Sequence, residues 1–274
     1  MSGNRQNTLI PRPGASCNVC TLIQNDNITD EVFCLAFAWP GAAPDAGQFF
    51  MLKPKRSAVF LGRPVSVALW EPESRVIKFL IALRGRGTGE LASMRIGEEA
   101  ELTGPFGNAW TDFLPDTQMS GGKPVALVGG GIGIAPLEAL CIERPECHYI
   151  LYAGFRTGFK NTGDKDPLPM AAWLKGPEII IATEDGSAGL KGRITDFLEP
   201  QRFSAVCACG PEPMLKAVAA KCTGVHVPCF ISMERRMACG AGACLGCTIR
   251  TVGGNRRCCA DGPIFCAGEV IFDV

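Results

Sequence analysis

The segment MACGAGACLGCTIRTVGGNRRCCADGPIF, residues 237–265, constrains this chain more than any other. It is rich in cysteine and glycine and too poor in periodic apolar residues to fold around a core of its own, so something else must organise it. Cys239, Cys244 and Cys247 stand at the spacing C-x4-C-x2-C, and a further cysteine follows at Cys258 or Cys259. That is the spacing by which plant-type ferredoxins hold a 2Fe-2S cluster. Gly240 and Gly242 allow a tight loop, whose amides can donate to the sulfurs and tune the potential. Zinc sites favour paired C-x2-C knuckles, and the segment has one such pair, so zinc is the weaker reading and a set of free buried thiols the blandest. The residues alone leave the fourth ligand open between Cys258 and Cys259, and Cys266 is read as structural.

The other cysteines do not suggest a disulfide framework. Their total is odd, at 15, and the opening MSGNRQNTLIPRPG lacks an apolar leader, so a cytoplasmic protein with reduced thiols is expected. Lys and Arg total 27, as do Asp and Glu, and the resulting zero formal charge argues against a nucleic-acid partner. The most apolar window, residues 125–137, holds four glycines and a proline and falls short of the roughly 20 residues of a membrane span. At 274 residues the chain is long enough for two domains.

Organisation changes along the chain. Residues 17–102 read as short β runs broken by turns (VFCLAFAWP, GQFFMLK, RPVSVALW, RVIKFLIAL), the pattern of a small antiparallel barrel. From residue 123, apolar strands alternate with helix-like segments, which implies parallel pairing through βαβ crossovers. The expected division is a β-barrel over residues 1–115, a Rossmann-like domain with a parallel sheet over 116–224, and the cysteine module over 225–274.

Three further patterns bear on chemistry. In VALVGGGIGIAPLEAL, Gly129, Gly130, Gly131 and Gly133 follow an apolar strand and open a helix, where a phosphate could approach backbone amides. No G-K-[ST] closes the turn, so it is not a P-loop. In GRPVSVA, Arg63 and Ser66 at a strand end suit a diphosphate, the arginine through its planar fork. In CACGPEPM, Cys209, Gly210 and Pro211 form a strand-to-helix turn where a cysteine could face a bound nicotinamide or simply pack. Cys17 and Cys20 read as packing, and His148 and His226 have no partner at a metal or triad spacing.

Taken in this order the motifs resemble the ferredoxin-reductase-like flavoproteins, and among them the electron-transfer subunits of class 1B dihydroorotate dehydrogenases. The likeness runs through RPVS at 63–66, GRGTGEL at 85–91, GPFGN at 104–108, GGGIGIAP at 129–136, TEDGSAGLKGRITD at 183–196, CGPEPM at 209–214 and CADGPIF at 259–265. The resemblance implies that Arg63, Pro64, Val65 and Ser66 hold FAD, with Gly85, Gly87 and Thr88 lining the same cofactor. It implies that Gly130, Gly131 and Gly133 cradle NAD, and that Cys209, beside Gly210 and Pro211, lies where nicotinamide meets flavin. Cys239, Cys244, Cys247 and Cys259 become the cluster ligands, because the family places one residue between its last ligand and DGP. Arg156 and Lys160 would suit an NADP 2′-phosphate, whereas Glu184 and Asp185 would favour NAD, the family's usual carrier. The implied partner is an FMN-containing dihydroorotate dehydrogenase catalytic subunit, in a heterotetramer of two of each. A ferredoxin:NADP transhydrogenase or sulfide dehydrogenase subunit is the nearest alternative, although the first cysteine of the cluster motif is expected to be replaced there. A zinc-stabilised nucleotide-binding regulator is the alternative without redox turnover.

Overall fold

A computed structural model describes residues 14–114, 122–158 and 178–272. Lys160 and the expected boundary at residues 115/116 lie outside the described residues. The N-terminal half contains β1 (Ser16–Thr29), β2 (Val32–Ala38), β3 (Phe49–Pro54), β4 (Arg63–Ser66), β5 (Leu69–Glu71), β6 (Val76–Ala82), α1 (Arg86–Ala92) and β7 (Glu99–Phe106). The strands form one antiparallel sheet in the order β4-β3-β7-β1-β2-β6-β5. β1 is long enough to serve both halves of it: residues 16–21 pair with β7, and from Leu22 onward it pairs with β2. The sheet curls around Leu35, Phe37, Phe50, Leu52 and Phe79, all fully buried. Edge-to-face contacts of Phe50 with Trp39 at 4.8 Å and with Phe79 at 5.6 Å fix the packing. Among the described residues β4 and β5 stay edges, so the barrel is an open, curled one.

The second half contains β8 (Val125–Gly130), α2 (Ala135–Glu143), β9 (Tyr149–Phe155), β10 (Glu178–Thr183), β11 (Leu190–Lys191), β12 (Ala205–Cys209), α3 (Glu212–Gly224) and β13 (Cys229–Ser232). These strands are parallel and run β11-β10-β9-β8-β12-β13. VALVGG, YILYAGF and AVCAC are almost wholly buried, as strands covered on both faces must be. Strand order reverses between β8 and β12, which opens a crevice at their C-terminal ends, the usual ligand site of such sheets.

The cysteine module adds β14 (Thr248–Thr251), β15 (Gly254–Arg257) and β16 (Ile264–Cys266). β14 and β15 form a separate hairpin, while β16 joins the large sheet antiparallel to β13. The parallel sheet thus runs through residues 224/225, the expected domain boundary. A segment without its own core is organised by completing a neighbour's sheet edge. No helix of the described residues is long and apolar enough to cross a membrane.

The halves are held together by specific bonds. The Trp110 indole donates to the Pro136 carbonyl at 3.0 Å, and the Ala46 amide donates to the Glu143 carboxylate. Asn108 ties the end of β7 to the cysteine module: its amide donates to Gly262 O at 2.8 Å, and its side chain exchanges two hydrogen bonds with the Ile264 backbone, at 2.8 and 3.0 Å.

Candidate electron-transfer site

β4 is an edge strand pairing only with β3, a position that tolerates Pro64 because proline has no amide to donate. Its residues Arg63, Pro64, Val65 and Ser66 are all half-buried. One Arg63 nitrogen, Nη2, donates to Leu61 O at 2.8 Å, but the buried Nε has no partner. Leaving such a donor unpaired costs about 1–3 kcal/mol, so an anion at this point would satisfy it. Gly87, in the first turn of α1, lies directly against this guanidinium, since a Cβ there would sit 2.9 Å from Nε. Arg63 and Gly87 are therefore brought together, and the side chains present fit a diphosphate. Thr88 acts locally, its hydroxyl accepting from the amides of Arg84 and Gly85 and donating to Gly85 O, which closes the start of α1.

The glycine-rich turn after β8 meets the end of β12. A Cβ on Gly133 would lie 2.3 Å from Cys209 O, and one on Gly130 would meet Pro211 Cδ at 2.7 Å and Met214 Sδ at 2.8 Å. A Cβ on Gly210 would in turn lie 2.9 Å from the Gly130 backbone. These glycines are needed because two backbones touch. Gly131 differs, with φ +55° and open space where a side chain would point. Cys209 is 3% exposed, and burial raises its thiol pKa, reinforced by Glu234, so it stays neutral.

Beyond the crevice, the loop after β10 is pinned to the end of β9 by Glu184 N–H to Phe155 O at 3.1 Å and Asp185 N–H to Arg156 O at 3.3 Å. The Ser187 hydroxyl and amide bond the Asp185 carboxylate and hold its pKa down to about 2. Glu184 and Arg156 stay exposed.

The cysteine loop has the chemistry of a cluster cradle. Cys247 and Cys259 are each 2% exposed with their sulfurs 3.2 Å apart. Cys239 and Cys244 form a second pair nearer the surface, the Cys244 amide donating to Cys239 Sγ at 3.4 Å. Further amides point at sulfur: Gly242 at Cys259 (3.1 Å), Cys259 at Cys247 (3.4 Å) and Gly246 at Cys244 (3.5 Å). Burial alone would raise Cys239, but the amides of Cys244, Ala241 and Ala243 outweigh it and lower its pKa to about 6, favouring the thiolate that binds metal. Burial, then the neighbouring Cys247 thiol, pushes Cys259 up. Among the described residues no three His, Cys, Asp or Glu side chains are placed to hold a single ion. The thiols instead stand as two pairs, as two irons would divide them, and so the donor set fits a 2Fe-2S cluster.

Leu245, between Cys244 and Cys247, adopts φ +60° with its side chain 62% exposed. That conformation costs a branched residue roughly 1–2 kcal/mol, strain of the kind stored at functional loops. Cys258 is fully buried, and burial pushes its thiol up to about 12. The Cys239 side of the loop faces the barrel across a cleft of about 220 Å³ lined by Met51, Lys53, Phe60, Leu61, Gly62 and Thr103 among others. The cleft places the segment 60–62, which leads into β4, beside the first cysteine. Two parts of the arrangement, Asn108 and the Arg257–Asp261 pair, escape sequence reasoning. The only sequence trace of them is that Asn108 ends GPFGN and Asp261 lies in CADGP.

An open, curled antiparallel sheet joined to a parallel sheet with a switch-point crevice and a four-cysteine loop defines a ferredoxin-reductase-like protein with an iron–sulfur module. Known proteins narrow this class. The family described as iron-sulfur cluster binding domain of dihydroorotate dehydrogenase B matches residues 234–271. The dihydroorotate dehydrogenase B (NAD(+)) electron transfer subunit of Clostridium acetobutylicum is 39% identical over 83% of this chain and 86% of its own. That of Caldanaerobacter subterraneus subsp. tengcongensis is 37% identical over 92% of this chain and 97% of its own. A solved NADH-dependent reduced ferredoxin-NADP oxidoreductase superposes with TM-score 0.78 at 28% identity, covering 93% of this chain and 90% of that one. The chain belongs to the family of dihydroorotate dehydrogenase B (NAD(+)) electron transfer subunits.

Proposed function

We propose that this chain is the electron-transfer subunit of an NAD-linked dihydroorotate dehydrogenase, passing electrons from a catalytic partner's FMN to NAD in the cytoplasm. The observation that carries the reading is the cleft between residues 60–62, which lead into β4 and its unpaired Arg63 Nε, and Cys239 of the cysteine loop. When bound, FAD supplies two-electron hydride exchange with nicotinamide and the 2Fe-2S cluster supplies one-electron transfer. Arg63 holds the flavin diphosphate through its fork, with Pro64, Val65 and Ser66 along the same strand and Gly85 and Gly87 permitting close approach. Thr88 acts by keeping that glycine turn in shape. Gly131 leaves the crevice open to NAD, while Gly130, Gly133, Gly210 and Pro211 hold its floor. Cys209 presents a neutral thiol at the strand end where nicotinamide would stack, a surface that excludes water without exchanging a proton. Cys239, Cys244, Cys247 and Cys259 hold the cluster. The exposed Cys244 and Leu245 turn this loop toward the partner in a heterotetramer of two of each subunit.

The test is co-purification with the FMN-containing catalytic subunit, quantification of iron, zinc and flavin, and assay of dihydroorotate-dependent NAD+ reduction. About two irons and one FAD per chain with NAD+ reduction are expected. Zinc without iron or flavin would overturn the redox reading. The structural likeness to the ferredoxin-NADP oxidoreductase supports a second reading; iron and flavin with ferredoxin-dependent NADP+ reduction, and none with dihydroorotate, would select it.

A further inference from the structure

Arg257 ends β15 two residues before Cys259, and its side chain folds back across the cysteine loop. Nε and Nη2 each donate to the Asp261 carboxylate at 3.0 Å, and the Arg257 amide donates to the same group at 2.7 Å. Nη1 reaches the other arm of the motif and donates to Gly242 O at 3.1 Å, while the Gly242 amide donates to Cys259 Sγ at 3.1 Å. A Cβ on Gly242 would lie 3.1 Å from Nη1, so glycine there lets the guanidinium lie flat on the loop. The pair is largely withdrawn from water, with side chains 21% and 7% exposed. A bidentate, half-desolvated pair holds its geometry far better than a surface ion pair. A guanidinium is not deprotonated in proteins, so Arg257 brings a fixed positive charge to the loop.

We propose that Arg257 is the positioning residue of the cysteine loop, closing it through Gly242 and Asp261, and that its charge, offset by Asp261, sets how readily the cluster accepts an electron. This rests on reading Cys239, Cys244, Cys247 and Cys259 as the ligands. Reduction adds one electron, supplied in turnover by the catalytic partner's FMN, and hence one negative charge at the cluster and its sulfurs. A fixed cation on the same loop favours the reduced form, and its carboxylate partner opposes that effect. Arg257→Gln removes the cation, whereas Asp261→Asn keeps a side-chain oxygen to accept the arginine's bonds but leaves its charge without an offset.

The experiment is a spectroscopic redox titration of the cluster in the purified complex, with iron counted for each variant. The midpoint potential is expected to fall in Arg257→Gln, to rise in Asp261→Asn, and in Arg257→Lys to lie between wild type and Arg257→Gln. A merely loosened loop would move Arg257→Gln and Asp261→Asn in the same direction. Shifts of the same sign, the absence of a shift, or loss of iron from Asp261→Asn would overturn the proposal. A wild-type complex that holds no iron would instead refute the reading of the four cysteines, a result distinct from any of these.

Discussion

Asn108→Ala should unfasten the cysteine module from the rest of the chain. The Asn108 side chain accepts the Ile264 amide at 3.0 Å and donates to the Ile264 carbonyl at 2.8 Å, with a longer contact to Asp261 O at 3.4 Å. Ile264 is fully buried, so alanine leaves two backbone groups unpaired away from water. Each such group costs about 1–3 kcal/mol, which makes local opening of β16 and the preceding turn easier by roughly 2–6 kcal/mol. The lower figure alone corresponds to a roughly 30-fold faster exchange of the protected amides. Hydrogen–deuterium exchange of residues 258–270 in the loaded protein reads this directly, with β6 as an internal control on the far side of the curled sheet. Asn108→Asp keeps an acceptor for the Ile264 amide and should accelerate exchange less than alanine does. Acceleration below about threefold in Asn108→Ala, well under 1 kcal/mol, would refute the reasoning. So would equal acceleration in β6, or aspartate proving as damaging as alanine.

Cys259→Ser should lower iron content while Cys258→Ser leaves it near wild type, since Cys259 lies 3.2 Å from Cys247 Sγ and Cys258 is a fully buried core residue; metal analysis distinguishes the two. Gly133→Ala forces a Cβ to 2.3 Å from the Cys209 carbonyl and should reduce soluble yield and thermal midpoint. Gly131→Ala meets no atom within 4 Å and should cost only roughly 1 kcal/mol of left-handed strain while raising the KM for NAD. Glu138, buried in α2, has its pKa raised by burial from 4.5 to about 8. Its native form therefore keeps a proton that the unfolded chain gives up, so this contribution to stability is full below about pH 4.5 and is lost as pH rises through about 8. Glu138→Gln should flatten that slope: thermal melts from pH 5 to 9 should show the variant gaining on wild type until about pH 8.

Much of the chemistry was legible because it is local. The C-x4-C-x2-C spacing brings three thiols to one loop whatever surrounds it, and apolar runs with period two or full burial announce strands before any partner is known. A glycine-rich turn between a strand and a helix likewise carries its meaning within a dozen residues. Other roles depend on neighbours far along the chain. Cys258 and Cys259 are adjacent in sequence, and only the packed turn shows that Cys259 pairs with Cys247 while Cys258 lies buried in the core. Gly133 reads in the sequence as part of a phosphate cradle, and only the fold shows that a Cβ there would also meet the Cys209 carbonyl of another strand. Asn108 bonds a residue 156 positions away, and a lone asparagine after a glycine gives no hint of that. The sequence by itself determined which short segments could bind metal, turn around a phosphate or pair as strands, because those properties rest on spacing and conformational preference over a few residues. Tertiary structure decided which thiol completes the loop, why each glycine is needed and how the cysteine module is seated, because those depend on contacts that exist only once distant strands have packed together.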